Sequence, residues 1–169
     1  MEKLEAWLCG PIDGVPPLLM PAAHALVQAA DDAGAAVAPL TTEQLWLRPG
    51  GAASVGFHLR HIAGVVNRLF TYARGEALTD RQMEYLRREG EPGTPPADGA
   101  DLIANLRMGI DHAISQMRHT PAESLLERRE VGRKKIPSNV IGLMFHAAEH
   151  AQRHTGQIIA TAKIIQASD

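Results

Sequence analysis

Four long segments of the chain lack proline and carry apolar residues at helical spacing. They comprise residues 22–38, 50–91, 97–120 and 138–169. Proline removes a backbone donor and clashes within a helix, so long helices are expected where proline is absent. In the second segment apolar residues recur at steps of three and four, as on one face of an α-helix: Val55, Leu59, Ile62, Val66, Leu69 and Ala73. The pattern predicts an all-α fold, a four-helix bundle.

Residues that favour helix ends refine the bounds of these helices. Ser54 and Ser138 are the expected N-caps of the second and fourth helices, because a serine oxygen accepts a hydrogen bond from the first turn. Gly75 is expected to follow the second helix, since glycine readily adopts the left-handed conformation found after many helices. The predicted helices run from residue 17 or 18 to about 36, from 54 to 74, from 98 to 118, and from 138 to about 165.

Two connections between these helices carry further predictions. Residues 75–97 are expected to contain a short helix, 80–88, and then a loop rich in proline and glycine. This crossover is long enough to let the second and third helices run in parallel. Residues 127–136 are expected to be an extended piece, and Trp46 to anchor the loop before the second helix or to line the mouth of a pocket.

Composition narrows the class of protein further. The 169 residues suit one domain spanning residues 1–169, and only 4% are aromatic, so the core is expected to be aliphatic and rich in alanine. A net charge of −2 gives no basic surface for nucleic acid. No apolar run is long enough to span a bilayer, so no membrane partner is expected. The single cysteine, Cys9, excludes an internal disulfide, and a cytoplasmic location is expected.

Histidines at four-residue steps are the main chemical signal in the sequence. The chain has eight histidines, and the fourth predicted helix carries His146, His150 and His154. Side chains four residues apart lie one above the other on a helix. His150, His154 and Gln157 form a polar belt within the stripe expected to face the core, whereas His146 lies at the edge of that stripe.

A divalent metal ion would satisfy these buried imidazoles. The i, i+4 spacing lets one helix supply two ligands, and four-helix bundles complete such sites from a facing helix. The second helix offers His58, inside the apolar stripe, and His61, at its flank, and both are candidates. Histidine pairs at this spacing also occur without a metal, in which case hydrogen bonds satisfy them. The remaining histidines are expected to be hydrogen-bonded or exposed.

The two histidine-containing stretches resemble the DinB-like superfamily. They read His58-Leu-Arg-His61-Ile-Ala and His150-Ala-Gln-Arg-His154-Thr-Gly-Gln-Ile. The resemblance implies a bundle of up-down-down-up topology that holds one divalent ion, zinc or nickel, on three histidines. It places these ligands at His61, His150 and His154. An arginine is frequent after the second of the two last-helix ligands, where this chain has Thr155.

Members of this superfamily are also described as metal-dependent hydrolases, and some resemble enzymes that move or isomerise groups on low-molecular-weight thiols. Three imidazoles leave the ion an open position, which predicts a hydrolase or thiol-dependent transferase acting on a small molecule. A fourth ligand, His58 or His146, would instead close the site. Gln157 could bond a ligand or a bound water, or be a polar residue at a helix contact. The alternative function is a non-catalytic metal-binding or stress-related helical bundle in which the metal is structural or absent, and the resemblance also implies a homodimer.

Overall fold

The computed structural model describes residues 4–168 and confirms the all-α fold. The helices are α1 (Met20–Val37), α2 (Thr42–Trp46), α3 (Val55–Ala73), α4 (Asp80–Arg88), α5 (Gly99–Arg118) and α6 (Val140–Gln166). Two short strands, β1 (Arg128–Val131) and β2 (Ile136–Asn139), precede α6. Single 3-10 turns lie at Ala6–Cys9, Pro17–Leu19, Pro49–Gly51 and Ala122–Ser124. Ser54 is the N-cap of α3, as predicted, and α4 has the predicted bounds.

The helix α6 packs against both α1 and α3, and α5 packs against the same two helices. Hydrogen bonds between α1 and α6 show their relative direction. Gln152 Nε2 donates to the carbonyl of Ala25 at 2.7 Å, and one turn further along the Thr155 hydroxyl faces the carbonyl of Ala29 at 3.5 Å. Because both sequence numbers rise together, α1 and α6 are parallel.

The helices α3 and α5 also run in the same direction. At one end the ring of Trp46 covers Gly56, where an added Cβ would lie 2.8 Å from the ring, and Trp46 Nε1 donates to the Ala97 carbonyl at 3.1 Å. At the other end Gln116 Nε2 donates to the Phe70 carbonyl at 3.0 Å. The connection between the two helices contains α4. Trp46 therefore has the predicted role of a packing anchor.

Alanine and aliphatic side chains form the core, as the low aromatic content predicts. Both α1 and α6 bury several alanines, which lets helix backbones approach closely: Ala22, Ala23, Ala29, Ala30 and Ala33 in α1, and Ala147, Ala148, Ala151 and Ala162 in α6. Within residues 4–168 we found no helix whose length and apolar content would let it span a bilayer.

The segment before α6 differs from the prediction. The structure has an antiparallel hairpin in place of one extended piece, with Val131 opposite Ile136 and a left-handed Gly132 in the turn. Its second strand continues through Ser138, so this residue is not the N-cap of α6. The pairing of β2 with β1 holds Ser138 extended and moves the start of the helix one residue along. Asn139 is the cap, and its Oδ1 accepts a hydrogen bond from the Gly142 amide at 2.7 Å.

The cap assignment leads to a stability prediction. Replacing an N-cap asparagine by alanine removes the partner of a first-turn amide and costs about 1 kcal/mol. We expect Asn139→Ala to lower the free energy of unfolding, measured in urea, by about this amount. Ser138→Ala is the matched control and should change it by a few tenths of a kcal/mol at most. A larger loss in the Ser138 variant would contradict the assignment.

Candidate metal centre

The contact between α3 and α6 brings together four histidines from the two helices. His61 Nε2 lies 2.9 Å from His150 Nε2, and His58 Nδ1 lies 2.9 Å from His154 Nδ1. The higher number on α3 faces the lower number on α6, so the two helices are antiparallel. The two histidines of α3 are three residues apart and those of α6 are four apart, which is close to one turn on each helix. The two pairs of imidazoles therefore lie next to each other along the contact, one turn apart.

Three of these histidines form a group that could hold a metal ion. His61, His150 and His154 are half-buried, and each offers one ring nitrogen within 4.8 Å of the nitrogens of the other two. Their ring centroids lie 4.5 Å apart for His61–His154 and for His150–His154, and 5.1 Å apart for His61–His150. The convergence therefore involves the same three residues that the family resemblance implies.

The donor spacing and the donor type both fit a divalent transition metal. Two imidazole nitrogens bound to one zinc ion at about 2.0–2.1 Å lie roughly 3.0–3.4 Å apart, depending on the angle between the bonds. The 2.9 Å separation of the His61 and His150 Nε2 atoms is close to this range. Imidazole suits zinc, nickel, copper and iron alike, so the ligands do not select the metal.

A buried carboxylate fixes the proton of His61. Glu89 Oε2 lies 2.8 Å from His61 Nδ1, and Glu89 Oε1 accepts from Arg68 Nη1 at 2.6 Å. A carboxylate only accepts hydrogen bonds, so Nδ1 carries the proton of the neutral ring. The lone pair is then on Nε2, which faces His150. This arrangement of carboxylate and imidazole is the one that orients histidine ligands in many metal sites.

Burial keeps several of these imidazoles neutral. It lowers the pKa of His58 to about 4, with further contributions from His154 and His61. Burial likewise lowers the pKa of His150 to about 4, and it lowers the pKa of His154. A metal ligand must be deprotonated, so these shifts keep the nitrogens available at neutral pH. The His150 Nδ1 atom is buried and has no hydrogen-bond partner among the described residues.

The other predicted site residues occupy three different positions. His58 is buried behind His154 and belongs to neither group of candidate ligands among residues 4–168. His146 is exposed, and its Nδ1 lies 2.6 Å from Glu149. With Glu149 and His150 it forms a second, more exposed group of candidate ligands. Gln157 is exposed, and its side chain partly opposes the lowering of the His154 pKa, which places it beside that ring.

Glu89 and Arg68 are two residues of this site that the sequence analysis above does not include. A signal for Arg68 was present, since His61, Gly64 and Arg68 follow at i, i+3 and i+7 and therefore share one face of α3. Glu89 had no comparable signal. It follows the end of α4, and only the packing of α4 on α3 brings it to His61.

The family model of the DinB superfamily matches residues 25–158 of the chain. The match covers most of the sequence and includes every histidine of the α3–α6 contact. The chain therefore belongs to the DinB superfamily, and the resemblance noted in the sequence is confirmed.

A solved structure supports the same fold. The chain is similar to the crystal structure of a conserved protein from Enterococcus faecalis, with a TM-score of 0.72 and 14% sequence identity. The alignment covers 88% of this chain and 97% of the other. At this level of identity the likeness shows the fold alone. A comparison with curated proteins gave no match.

The lowered pKa of His58 predicts how the stability of the metal-free protein depends on pH. The unfolded ring titrates near 6.5 and the folded ring near 4, so between these values only the unfolded chain binds the proton. Stability should be fullest above pH 6.5 and fall as the pH drops towards 4. We expect His58→Gln, which removes this titrating group, to flatten that decline in urea unfolding curves measured across this range. An identical slope in both proteins would contradict the assignment.

Proposed function

We propose that the protein binds one divalent ion, zinc or nickel, at His61, His150 and His154 and acts there on a small molecule. The observation that carries this proposal is the convergence of three half-buried imidazoles from two helices within 4.8 Å. Imidazole nitrogens at such a place need partners, and an ion would satisfy three of them together. Membership of the DinB superfamily supports the same conclusion.

A divalent ion held by three imidazoles supplies Lewis acidity, which activates a water molecule or a thiol at neutral pH. This favours a hydrolase or a thiol-dependent transferase. The protein contributes neutral ligands, because burial lowers the pKa of His150 and His154. All three histidines are partly exposed, so a small molecule could reach an ion bound there, and the exposed Gln157 beside His154 would be placed to bond its polar group.

A structural role for the ion is the second candidate. The three histidines come from α3 and α6, so an ion at this site would join the two helices directly. Such an ion would contribute to folding in addition to, or in place of, chemistry. Chelation would then lower the melting temperature strongly, whereas a catalytic ion with an open position would exchange ligands with solutes.

Domain number, cellular location and oligomeric state are proposed as the sequence predicts them. The chain would act as a single-domain cytoplasmic protein and as a homodimer. Light scattering during gel filtration measures the mass directly, with 18.2 kDa expected for one chain and double this value for a dimer.

Metal content tests the proposed ligands. We expect tag-free protein to contain about one equivalent of zinc or nickel, measured by plasma mass spectrometry. His61→Ala and His150→Ala should lose most of this metal, since each removes one of three ligands. His146→Ala is the control and should retain it, because His146 lies outside the group. Metal-free wild-type protein under these conditions would contradict the proposal.

Ligand exchange tests for an open position. Cobalt(II) in place of the native ion gives visible absorption bands that change when a ligand is added. We expect azide or a small thiol to shift these bands in wild-type protein, because three imidazoles leave a position free. Unchanged bands together with a large fall in melting temperature on chelation would favour the structural role.

A further inference from the structure

We propose that Glu89, held by Arg68, is a positioning residue that keeps the proton of His61 on Nδ1 and thereby makes Nε2 the ligand atom. The position of the proton is a property of the metal-free protein and is independent of the proposed function. The role of Nε2 as ligand atom rests on that function. The two parts are therefore tested by different measurements.

The contacts of Glu89 leave one proton arrangement for a neutral His61. Each carboxylate oxygen has its own donor, His61 Nδ1 at 2.8 Å and Arg68 Nη1 at 2.6 Å. The side chains of Glu89 and Arg68 are 4% and 10% exposed, so water does not replace either bond readily. A buried carboxylate without partners is costly, and both contacts are needed to satisfy this one.

The construction of α4 supports a role in placing Glu89. No residue of Asp80–Arg88 is buried, and polar bonds dock the helix on α3. Gln82 Nε2 donates to Asn67 Oδ1 at 2.6 Å, and Tyr85 OH donates to the Arg60 carbonyl at 3.1 Å. Glu89, the residue that caps the C-terminus of α4, is itself buried. The buried residue at the end of α4 is therefore the one whose carboxylate contacts His61.

Gly64 provides the space that this carboxylate needs. A Cβ at Gly64 would lie 2.7 Å from Arg68 Nη1, 2.9 Å from the Tyr85 ring and closer still to Glu89 Oε1. Any side chain there would displace the pair. A glycine inside a helix costs roughly 0.5–1 kcal/mol relative to alanine. The close approach of the Arg68–Glu89 pair explains why residue 64 is a glycine.

Replacing Glu89 by glutamine is expected to move the proton of His61 from Nδ1 to Nε2. The amide oxygen would keep the bond from Arg68, and the amide NH2 would then face His61 Nδ1. An NH2 group only donates, so His61 Nδ1 would have to accept and its proton would move to Nε2. This places a hydrogen on the nitrogen that must bind the ion.

A control with matched chemistry is present on the surface of α6. Glu149 also contacts a histidine Nδ1, that of His146 at 2.6 Å, and an arginine, Arg153 at 2.7 Å. These side chains are exposed to between 33% and 56%. Glu149→Gln therefore removes the same kind of contact away from the three-histidine group.

The first experiment measures the His61 tautomer in metal-free, nitrogen-15-labelled protein by long-range proton–nitrogen correlation. We expect the Nδ1–H form in wild type and in Glu149→Gln, and the Nε2–H form in Glu89→Gln. The Nε2–H form in wild type, or the same form in wild type and Glu89→Gln, would overturn the proposal whether or not the protein binds a metal.

The second experiment measures zinc affinity by competition with a chelator. We expect Glu89→Gln to weaken binding 10- to 100-fold, the usual effect of losing such a partner. Glu149→Gln should stay within about twofold of wild type. Equal affinity for Glu89→Gln and wild type would overturn the ligand-atom part. Weaker binding in Glu149→Gln alone would also overturn it, because the ion would then lie at His146, Glu149 and His150.

Two glycine substitutions, Gly64→Ala and its control Gly156→Ala, test the same proposal if Glu89→Gln folds poorly. Gly64→Ala alters no charged group, but its Cβ would overlap Glu89 Oε1 and Arg68 Nη1 and shift the pair, so it should also weaken zinc binding. Gly156→Ala is the control, since an added Cβ there meets open space. Affinity unchanged in Gly64→Ala would contradict the proposal. Wild-type protein without zinc affinity would refute the proposed function, while the tautomer measurement would still decide the role of Glu89.

Discussion

The antiparallel contact between α3 and α6 determines where each candidate ligand lies. Leu59 and Ile62 flank the histidines of α3 and are almost completely buried. Each such side chain contributes about 1.5–3 kcal/mol on burial, whereas a hydrogen bond between imidazoles contributes roughly 0.5–1.5 kcal/mol. Apolar packing therefore sets the positions of the two helices. The histidines are carried into contact by that packing and do not create it.

The same packing brings polar groups into the interior, where they need partners. His58 and His154 satisfy each other, and His61 is satisfied by Glu89. Arg68 in turn balances the charge of Glu89. Buried ion pairs contribute little to stability by themselves, because desolvation offsets most of the attraction. The Arg68–Glu89 pair is therefore better explained by what it does to His61 than by stability.

Periodicity and caps predicted much of this structure from the sequence. The repeat along α3, with Ser54 before it and Gly75 after it, gave bounds that the structure confirms. The residue spacing alone left His58 and His61 open, because both lie near the apolar face. As the ligand on α3, His58 is favoured by its burial and His61 by its distances to His150 and His154. The two residues are one helical turn apart, so the choice between them depends on the position of α6.

Other features depend on contacts between distant segments. The N-cap of α6 is Asn139, not Ser138, because β2 pairs with β1, although both serine and asparagine are good caps. Glu89 lies near His61 only because α4 folds back on α3. The local sequence does not predict this long-range contact. Its one indication is Gly64, a glycine inside a helix, where glycine is unfavourable.

The most direct test of the account is the position of the ion itself. Crystals of the zinc-loaded protein, measured at the zinc absorption edge, locate the metal by its anomalous signal. An ion bound as proposed would give one peak among His61, His150 and His154, with ring nitrogens at about 2.0–2.1 Å. A peak between His146 and Glu149, or none near the α3–α6 contact, would contradict it.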